Sequence, residues 1–333
     1  MKKVLVTGAT GGLGRNAVEH LLRRGIDVKA SGRKLAIGAQ LQQLGAEFHP
    51  LDLGTADLKT MAPVLDGVDC VWHCAALSAP WGRAADFEAA NVRATEILLQ
   101  AAARSGVKHF IHVSTPALYF DFRHHLDIPE SYRPRRYVNH YAASKARAEE
   151  SVQKAVIEHV GMRQIILRPR AIFGPHDQAL LPRLEQLLTR QDGRLPLPRG
   201  GRTLLDLTYV GNVVQAMELT SQTPGLLSGS VYNITNGDPQ PLGEVLSDLF
   251  RALARPCRIR SVPPWILSTA ATLMEAASSV TGREPRLTRY SVGALSYDMT
   301  LDISKARREL GYQPAIPMAE ALRLTADWRL SHG

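Results

Sequence analysis

The chain alternates between short apolar runs and longer segments in which apolar residues recur at helical spacing. The runs resemble strands buried on both faces of a sheet, and the intervening segments resemble amphipathic helices. Strands separated by helices pair in parallel, so the pattern predicts an α/β fold with a doubly wound sheet of at least six strands. The predicted strands are Lys2–Thr7, Asp27–Ser31, Glu47–Leu51, Asp69–Cys74, His109–Ser114 and Arg163–Leu167, and the predicted helices are Gly12–Arg24, Ala36–Leu44, a segment ending near Leu65, Phe87–Ser105 and Tyr141–His159.

The regular alternation of apolar runs and helical segments ends after about Pro175. Proline and glycine become frequent between positions 195 and 201, and helical spacing dominates the segments that follow. We therefore expect a dinucleotide-binding domain over residues 1–175 and a smaller, mostly helical substrate lobe over residues 176–333, with a segment such as Val231–Ile234 returning to the main sheet. The helices predicted in the lobe are Val210–Ser221, Leu242–Ala254, Trp265–Val280 and Ala319–Leu330.

The dinucleotide site is indicated by a glycine-rich segment, Thr7–Gly14, between the first predicted strand and the first predicted helix. Gly8 permits a tight turn, Gly11 lets the backbone approach a pyrophosphate, and Gly14 allows the helix to pack on the strand. The helix then offers free N–H groups and a positive dipole end to phosphate.

A second motif, Tyr141–Lys145, opens a predicted helix. A tyrosine and a lysine one turn apart lie on the same helix face. A free phenol has a pKa of about 10 and exchanges protons poorly at neutral pH, but a neighbouring ammonium favours its ionised form. Tyr141 is therefore the expected proton-transfer group, assisted by Lys145. Together the two motifs indicate a nicotinamide-dependent enzyme.

Composition narrows the class of protein. The 333 residues carry a formal net charge of +9, yet no zinc-finger spacing, ribonucleoprotein aromatic box or basic tail indicates a nucleic-acid partner. We attribute the charge to a phosphorylated cofactor and an anionic small-molecule substrate. Cys70, Cys74 and Cys257 lack metal-binding spacing, so no metal is expected. Without a signal-peptide pattern or a run of ~18 apolar residues, a reduced, cytoplasmic protein is expected.

Further segments resemble one enzyme family along nearly the whole chain. The chain is similar to the extended short-chain dehydrogenases/reductases, in the epimerase/dehydratase and 3β-hydroxysteroid-dehydrogenase-like branch. The resemblance implies a Rossmann domain followed by a substrate lobe, and a homodimer is usual in the family. Besides the two motifs, the resemblance is carried by His73–Ala76, Asn91–Thr95, His112–Thr115 with Tyr119, Leu167–Pro175, Tyr232–Ile234 and Asp302–Tyr312.

The family pattern implies further site residues. It places a catalytic Ser or Thr four positions before Tyr119, at Thr115, with Ser114 as the alternative. It places Asp52 at the adenine, Asn91 at the nicotinamide end, small residues under the cofactor and apolar residues beside the nicotinamide. Taken together with the motifs above and the turn after the second predicted strand, the expected catalytic residues are Thr115, Tyr141 and Lys145, and the expected cofactor-binding residues are Gly8, Thr10, Gly11, Gly12, Leu13, Gly14, Arg33, Lys34, Asp52, Leu53, Ala75, Ala76, Asn91, Tyr141, Lys145, Pro169 and Ile172.

The end of the second predicted strand indicates which dinucleotide binds. An NAD site would carry Asp or Glu there to bond the ribose hydroxyls. This chain has Arg33 and Lys34 instead, two cations that suit a 2′-phosphate. We therefore expect NADP(H) to be favoured over NAD(H).

The leading interpretation is an NADP(H)-dependent oxidoreductase that interconverts a ketone and a secondary alcohol. If the arginine-rich loop Tyr132–Tyr137 and the apolar segment Pro264–Met274 line one cavity, the substrate is a bulky apolar ketone with an acidic group, such as an oxo-acid or a sterol-like carboxylate. The apolar segment is also compatible with core packing or peripheral membrane contact. A nucleotide-sugar epimerase or dehydratase and a non-catalytic NADPH-binding regulator stay open as alternatives.

Overall fold

The structure is a computed structural model that describes residues 1–178, 180–255 and 257–332, with only the backbone described at Val280. Its strands are β1 (Lys3–Thr7), β2 (Asp27–Gly32), β3 (Glu47–Pro50), β4 (Cys70–His73), β5 (His109–Val113), β6 (His125–Ile128), β7 (Arg163–Pro169), β8 (Ile172–Phe173), β9 (Arg194–Pro198), β10 (Leu204–Leu205), β11 (Thr208–Tyr209), β12 (Val231–Ile234), β13 (Gln240–Pro241), β14 (Arg258–Val262) and β15 (Met299–Leu301). Its helices are α1 (Gly12–Arg23), α2 (Leu35–Gln43), α3 (Leu58–Leu65), α4 (Ala84–Phe87), α5 (Ala94–Arg104), α6 (His140–Glu158), α7 (Leu180–Arg190), α8 (Val210–Gln222), α9 (Leu242–Ala252), α10 (Pro264–Thr281), α11 (Arg289–Ser296), α12 (Ser304–Leu310) and α13 (Met318–His332).

Seven parallel strands form the central sheet, in the order β12-β7-β5-β4-β1-β2-β3. The predicted doubly wound Rossmann sheet is therefore confirmed. Val231–Ile234 joins it as β12, which pairs with β7. The strand order reverses beside β1, and in such sheets the ligand crevice lies at the reversal, over the carboxyl ends of the strands. Here that position is over β1 and β4.

Alternating side chains of the sheet pack against helices on both faces. Val4 and Val6 belong to one core cluster with Val18 of α1. Leu5, between them, belongs to the cluster on the opposite face with Leu98 of α5. All five side chains are fully buried. Burial on both faces explains why the strands read as continuous apolar runs in the sequence.

The second half of the chain contains the predicted helices, as α8, α9, α10 and α13, together with short strands that the sequence pattern did not predict. One is β9, in the proline-rich segment, which pairs in parallel with β14. Leu195 and Leu197 of β9 are buried, and Pro196 and Pro198 alternate with them. A strand of a two-stranded sheet has a partner on one side only, so proline, which has no N–H to donate, is tolerated there. The domain limits 1–175 and 176–333 stay a prediction.

The helix predicted at Phe87–Ser105 is interrupted by a π-helical turn. The chain passes from α4 through a π-helical turn at Glu88–Arg93 into α5. Such turns hold one extra residue and occur frequently at functional sites. This one contains Asn91, which is buried.

Candidate active site

The turn between β1 and α1 brings the backbone close to a ligand position. Gly8 has φ +66°, and a Cβ there would lie 2.8 Å from the Ala75 backbone. A Cβ at Gly14 would lie 2.2 Å from the Gly8 carbonyl oxygen, so only glycine allows this close packing of α1 on the strand end. Gly11 precedes α1, and within the described chain no side chain caps the helix. Its first N–H groups are the donors that phosphate binds at helix N-termini.

A cleft of about 670 Å³ lies beside this turn. Lys34 and Gln178 meet at one side, where Lys34 Nζ donates to Gln178 Oε1 at 2.5 Å. Gln178 Nε2 in turn donates to the Thr10 carbonyl at 3.3 Å. The glycine backbone and the cations fit the phosphates of a dinucleotide, and Gly12, Leu13 and Gly14 follow in the first turn of α1. Sequence-predicted residues lining the cleft are Gly8, Thr10, Gly11, Arg33, Lys34, Asp52, Leu53, Ala75 and Ala76.

Arg33 lines the cleft and follows directly after β2, which ends at Gly32. Its Nη1 lies 3.8 Å from Asp52 Oδ2, and the two side chains are 72% and 49% exposed. The guanidinium can therefore turn from this weak, solvent-screened pair to a phosphate.

The segment after β4 links the glycine turn to α6. Ala75 lies against Gly8, and the Leu77 N–H donates to Asn91 Oδ1 at 2.7 Å. Asn91 Nδ2 donates to the Leu77 carbonyl at 3.1 Å and to Ser144 Oγ at 2.9 Å. The Asn91 amide thus fastens this segment to α6, one residue before Lys145.

Tyr141 and Lys145 lie in the first two turns of α6. Tyr141 is partly buried, with its ring 6.3 Å from the Phe87 ring. Lys145 is 1% exposed, and its ammonium donates to the Val113 carbonyl at 2.8 Å and to His112 Nε2 at 3.1 Å. Burial lowers the pKa of Lys145 to about 8, with Glu149 acting in the opposite direction. Lys145 is thus held against β5 in this structure.

The two candidate hydroxyls follow β5. Thr115 Oγ1 accepts a hydrogen bond from the Ala117 N–H at 3.1 Å and caps the 3₁₀ turn Pro116–Tyr119. Ser114 Oγ is buried and, among the residues described, has no hydrogen-bond partner. Both positions therefore put a hydroxyl at the carboxyl end of β5. The Thr115 hydroxyl uses one acceptor site on Ala117, whereas the Ser114 hydroxyl has no partner among the described residues.

Two buried histidines support this site and were not predicted from the sequence. His73 and His112 are register partners on β4 and β5, with ring centroids 5.3 Å apart. His73 Nε2 lies 3.0 Å from Thr95 Oγ1, which donates onward to the Asn91 carbonyl, and His73 Nδ1 lies 2.8 Å from Thr7 Oγ1. This geometry assigns the proton to Nε2.

The electrostatics of the pair follow from burial. Burial, reinforced by Lys145, lowers the pKa of His73 to about 3 and that of His112 well below its usual range. Both rings are therefore neutral at physiological pH. In the sequence, each histidine lies near the end of an apolar run, which was the one sign that it belongs to a site. That the two rings are neighbours follows only from the register of β4 and β5.

The residues expected beside the nicotinamide lie at the end of β7. Pro169 is buried and pairs with Ile234, and Ile172 begins a short two-stranded ladder with Thr208. Between them Ala171 has φ +44°, a conformation that favours glycine. The turn is thus strained at the carboxyl edge of the sheet, where such strain is often functional.

The arginine-rich loop borders a second cavity, of about 690 Å³. The apolar segment Pro264–Met274 does not share it among the described residues, so the condition that both features line one cavity is not met. That segment also provides little core, because Trp265 is 70% and Leu273 68% exposed on α10. The cavity is lined by Asp121, Phe122, Arg123, Tyr132, Arg133, Pro134, Arg135, Arg136, Tyr137, Val138 and Arg289.

The described residues contain no group of three or more His, Cys, Asp or Glu side chains placed to hold a metal ion. Within the same ranges, no helix has the length and apolar character needed to cross a membrane.

The fold and the cleft define a Rossmann-type dinucleotide-binding protein. A model of the NAD dependent epimerase/dehydratase family matches residues 4–235. The chain therefore belongs to this family, among the extended short-chain dehydrogenases/reductases, and is an enzyme.

Full-length relatives and one solved structure illustrate this membership. The chain is 47% identical to the uncharacterized protein YbjS of Escherichia coli, over 99% of this chain and 98% of the relative. It is 35% identical to a 4-hydroxy-2-methyl-3-oxo-4-farnesyl-3,4-dihydroquinoline-1-oxide ketoreductase of Stigmatella aurantiaca (96% and 94% covered) and 31% identical to a 2-alkyl-3-oxoalkanoate reductase of Stenotrophomonas maltophilia (96% and 97%). The UDP-glucuronic acid 4-epimerase of Bacillus cereus, solved with NAD, has the same fold (TM-score 0.77, 20% identity, 99% of each chain covered).

Proposed function

We propose that the protein is an NADP(H)-dependent oxidoreductase that interconverts a ketone and a secondary alcohol on a bulky apolar, acidic substrate. The observation that carries this is the path of contacts from the glycine turn to α6. Ala75 lies against Gly8, and Asn91 joins Leu77 to Ser144, beside Lys145. In this proposal the path connects the turn that would bind phosphate to the helix that would carry the proton donor.

Each residue of the site has a role in this proposal. The cofactor, when bound, supplies or accepts the hydride at the substrate carbon. Tyr141 donates the proton to the carbonyl oxygen, and Thr115 orients that oxygen through its hydroxyl. Lys145 favours the ionised phenol and binds the cofactor ribose. Arg33 and Lys34 bind the 2′-phosphate through charge-assisted hydrogen bonds.

The substrate class is supported by the relatives and by charge. Two relatives are named as reductases of ketones, and one of these substrates, a 2-alkyl-3-oxoalkanoate, is an acid. The arginine-lined cavity gives the surface near Tyr137 a positive potential that would attract an anion. The epimerase alternative is favoured only by the similarity to a solved epimerase structure. At 20% identity, that similarity concerns the fold alone.

The test is a screen of long-chain and cyclic ketones with NADPH, following cofactor oxidation by absorbance, in wild type and Tyr141→Phe. Loss of a general acid lowers turnover roughly a hundredfold or more, while NADPH affinity should persist. Lys145→Ala should weaken both turnover and NADPH binding. Glu150→Gln, on the exposed face of the same helix, is the matched control.

Near-normal turnover in Tyr141→Phe would show that another group supplies the proton. Epimerisation of a nucleotide sugar without net consumption of NADPH would favour the epimerase instead. NADPH binding with no reaction across the panel would favour the regulatory alternative.

A further inference from the structure

A partly exposed arginine with a buried guanidinium Nε lies at the carboxyl end of β7, next to the site described above. Arg170 follows Pro169, and its N–H donates to the Ile234 carbonyl at 3.2 Å. Its own carbonyl accepts from Thr208 Oγ1 at 2.5 Å, and the strained Ala171 follows. Hydrogen bonds on both sides therefore fix the position from which the side chain extends.

Among the described residues, the Arg170 guanidinium has no carboxylate partner. Its Nη1 lies 3.0 Å from Met299 Sδ, a weak acceptor, and its Nε is buried without a partner in the described ranges. No described carboxylate lies within 4.0 Å of it. By contrast, the guanidinium of Arg168, two residues earlier, is held by Glu149, by the Tyr119 hydroxyl and by the Glu130 carbonyl. Buried cations are normally paired, so the difference needs an explanation.

The nearest acid in electrostatic reach does not supply that partner. Asp206 interacts with Arg170 at a distance, but its carboxylate accepts the Leu301 N–H at 2.7 Å and is engaged by the Thr235 hydroxyl. Burial raises the pKa of Asp206 to about 6, so its negative charge is itself disfavoured. Burial also lowers the pKa of Arg170, as expected for a charge short of partners.

Arg170 lies close to the groups that would carry out the reaction. β7 is the sheet neighbour of β5, and the Ser114 N–H donates to the Leu167 carbonyl at 2.7 Å. The Tyr290 phenol is within electrostatic range of both Tyr141 and Arg170. Ser114 Oγ, also buried without a described partner, is at the same edge. Neighbouring strands are about 4.8 Å apart, so one small molecule spans both strand ends.

We propose that Arg170 binds the carboxylate of the substrate, beside the carbonyl that receives its proton from Tyr141, with Ser114 as a second donor. This rests on the proposed function and specifies its substrate class. A 3-oxo acid, or the corresponding 3-hydroxy acid, holds its carboxylate close to the reacting carbon and can therefore reach both neighbouring strand ends. A carboxylate would give the guanidinium two parallel hydrogen bonds, for which its planar geometry is suited.

The experiment compares 3-hydroxydodecanoate with its methyl ester, each oxidised with NADP⁺, in wild type, Arg170→Gln and Arg170→Lys. Hydrogen bonds to charged groups predict a roughly 10- to 100-fold fall in the acid-to-ester ratio of kcat/KM for Arg170→Gln. Arg170→Lys should keep part of the preference, because it keeps the charge but loses the planar fork. Arg202→Gln, an exposed arginine, is the control.

A second measurement separates this site from the reaction. Calorimetric titration of 3-hydroxydodecanoate into the NADP⁺-loaded protein should show binding that Arg170→Gln weakens by the same factor, with NADP⁺ affinity unchanged. The assignment would be overturned if wild type and Arg170→Gln had the same acid-to-ester ratio of kcat/KM, or if they bound the acid with the same affinity. Absence of turnover with Arg170-dependent acid binding would count against the proposed reaction and support the site.

Discussion

The buried histidine pair makes a specific prediction about acid stability. The pKa of His73 is about 3 in the fold and that of His112 is well below its usual range, because both rings are buried. In the unfolded chain both titrate near ~6.5. Below that pH the unfolded state binds more protons than the folded state, so stability falls as pH falls.

The magnitude follows from proton linkage. Each such histidine contributes a slope that rises from half of ~1.4 kcal/mol per pH unit at pH 6.5 towards that full value, so the pair removes about 3 kcal/mol between pH 6.5 and 5.0. Asp206 acts in the opposite direction, because its raised pKa of about 6 makes the folded state bind the extra proton. That returns about 1 kcal/mol between pH 6 and 5. Lys145, with a pKa of about 8, stays charged in this window. The net loss is about 2–3 kcal/mol, a large part of a typical total of ~5–15.

The assay is urea unfolding followed by circular dichroism at pH 7.5, 6.5, 5.5 and 5.0. His112→Gln removes one titrating ring and keeps an acceptor for the Lys145 ammonium, so its slope below pH 6.5 should be lower by up to ~1.4 kcal/mol per unit. His140→Gln is the control, since His140 is exposed. The same slope in His112→Gln and wild type would refute this reasoning.

Two other predictions concern arginines. Arg33→Ala should lower NADPH affinity about 10-fold or more and leave NADH affinity nearly unchanged, because it removes a charge-assisted bond and leaves Asp52 unopposed; titration of both cofactors checks this, and equal affinities in wild type would contradict it. Arg168→Met should cost roughly 3–5 kcal/mol in urea unfolding by leaving the buried Glu149 carboxylate unpaired. The double variant Arg168→Met/Glu149→Leu should recover most of that loss, and a loss in the single variant below about 1 kcal/mol would show that the pair is not needed.

The sequence was most informative where local pattern and local chemistry coincide. The strands around Val4–Val6 could be predicted because burial on both faces leaves continuous apolar runs, and the glycine turn could be predicted because steric limits act between near neighbours. The roles of Thr115, Tyr141 and Lys145 in the reaction stay predictions.

The features that were missed depend on contacts between distant segments. Leu205 of β10 pairs with Met299 of β15, and two-residue strands of this kind leave no periodicity to detect. His73 and His112 become neighbours only through the register of β4 and β5. That no described carboxylate pairs with Arg170 likewise could not be predicted, because it depends on the positions of segments far apart in the sequence.

The late entry of β12 into the central sheet has a consequence for synthesis and for dissection of the protein. During synthesis the outer edge of β7 stays uncovered until residues 231–234 have been made, although β7 can pair with β5 as soon as residue 169 is present. Until then the growing chain presents an apolar strand, with Ile165 and Leu167, whose open N–H and C=O groups can template pairing with another chain. A fragment ending near residue 175 would keep that open edge permanently, so we expect it to aggregate, whereas cutting after residue 234 would leave β7 covered by β12, the same edge strand as in the whole chain.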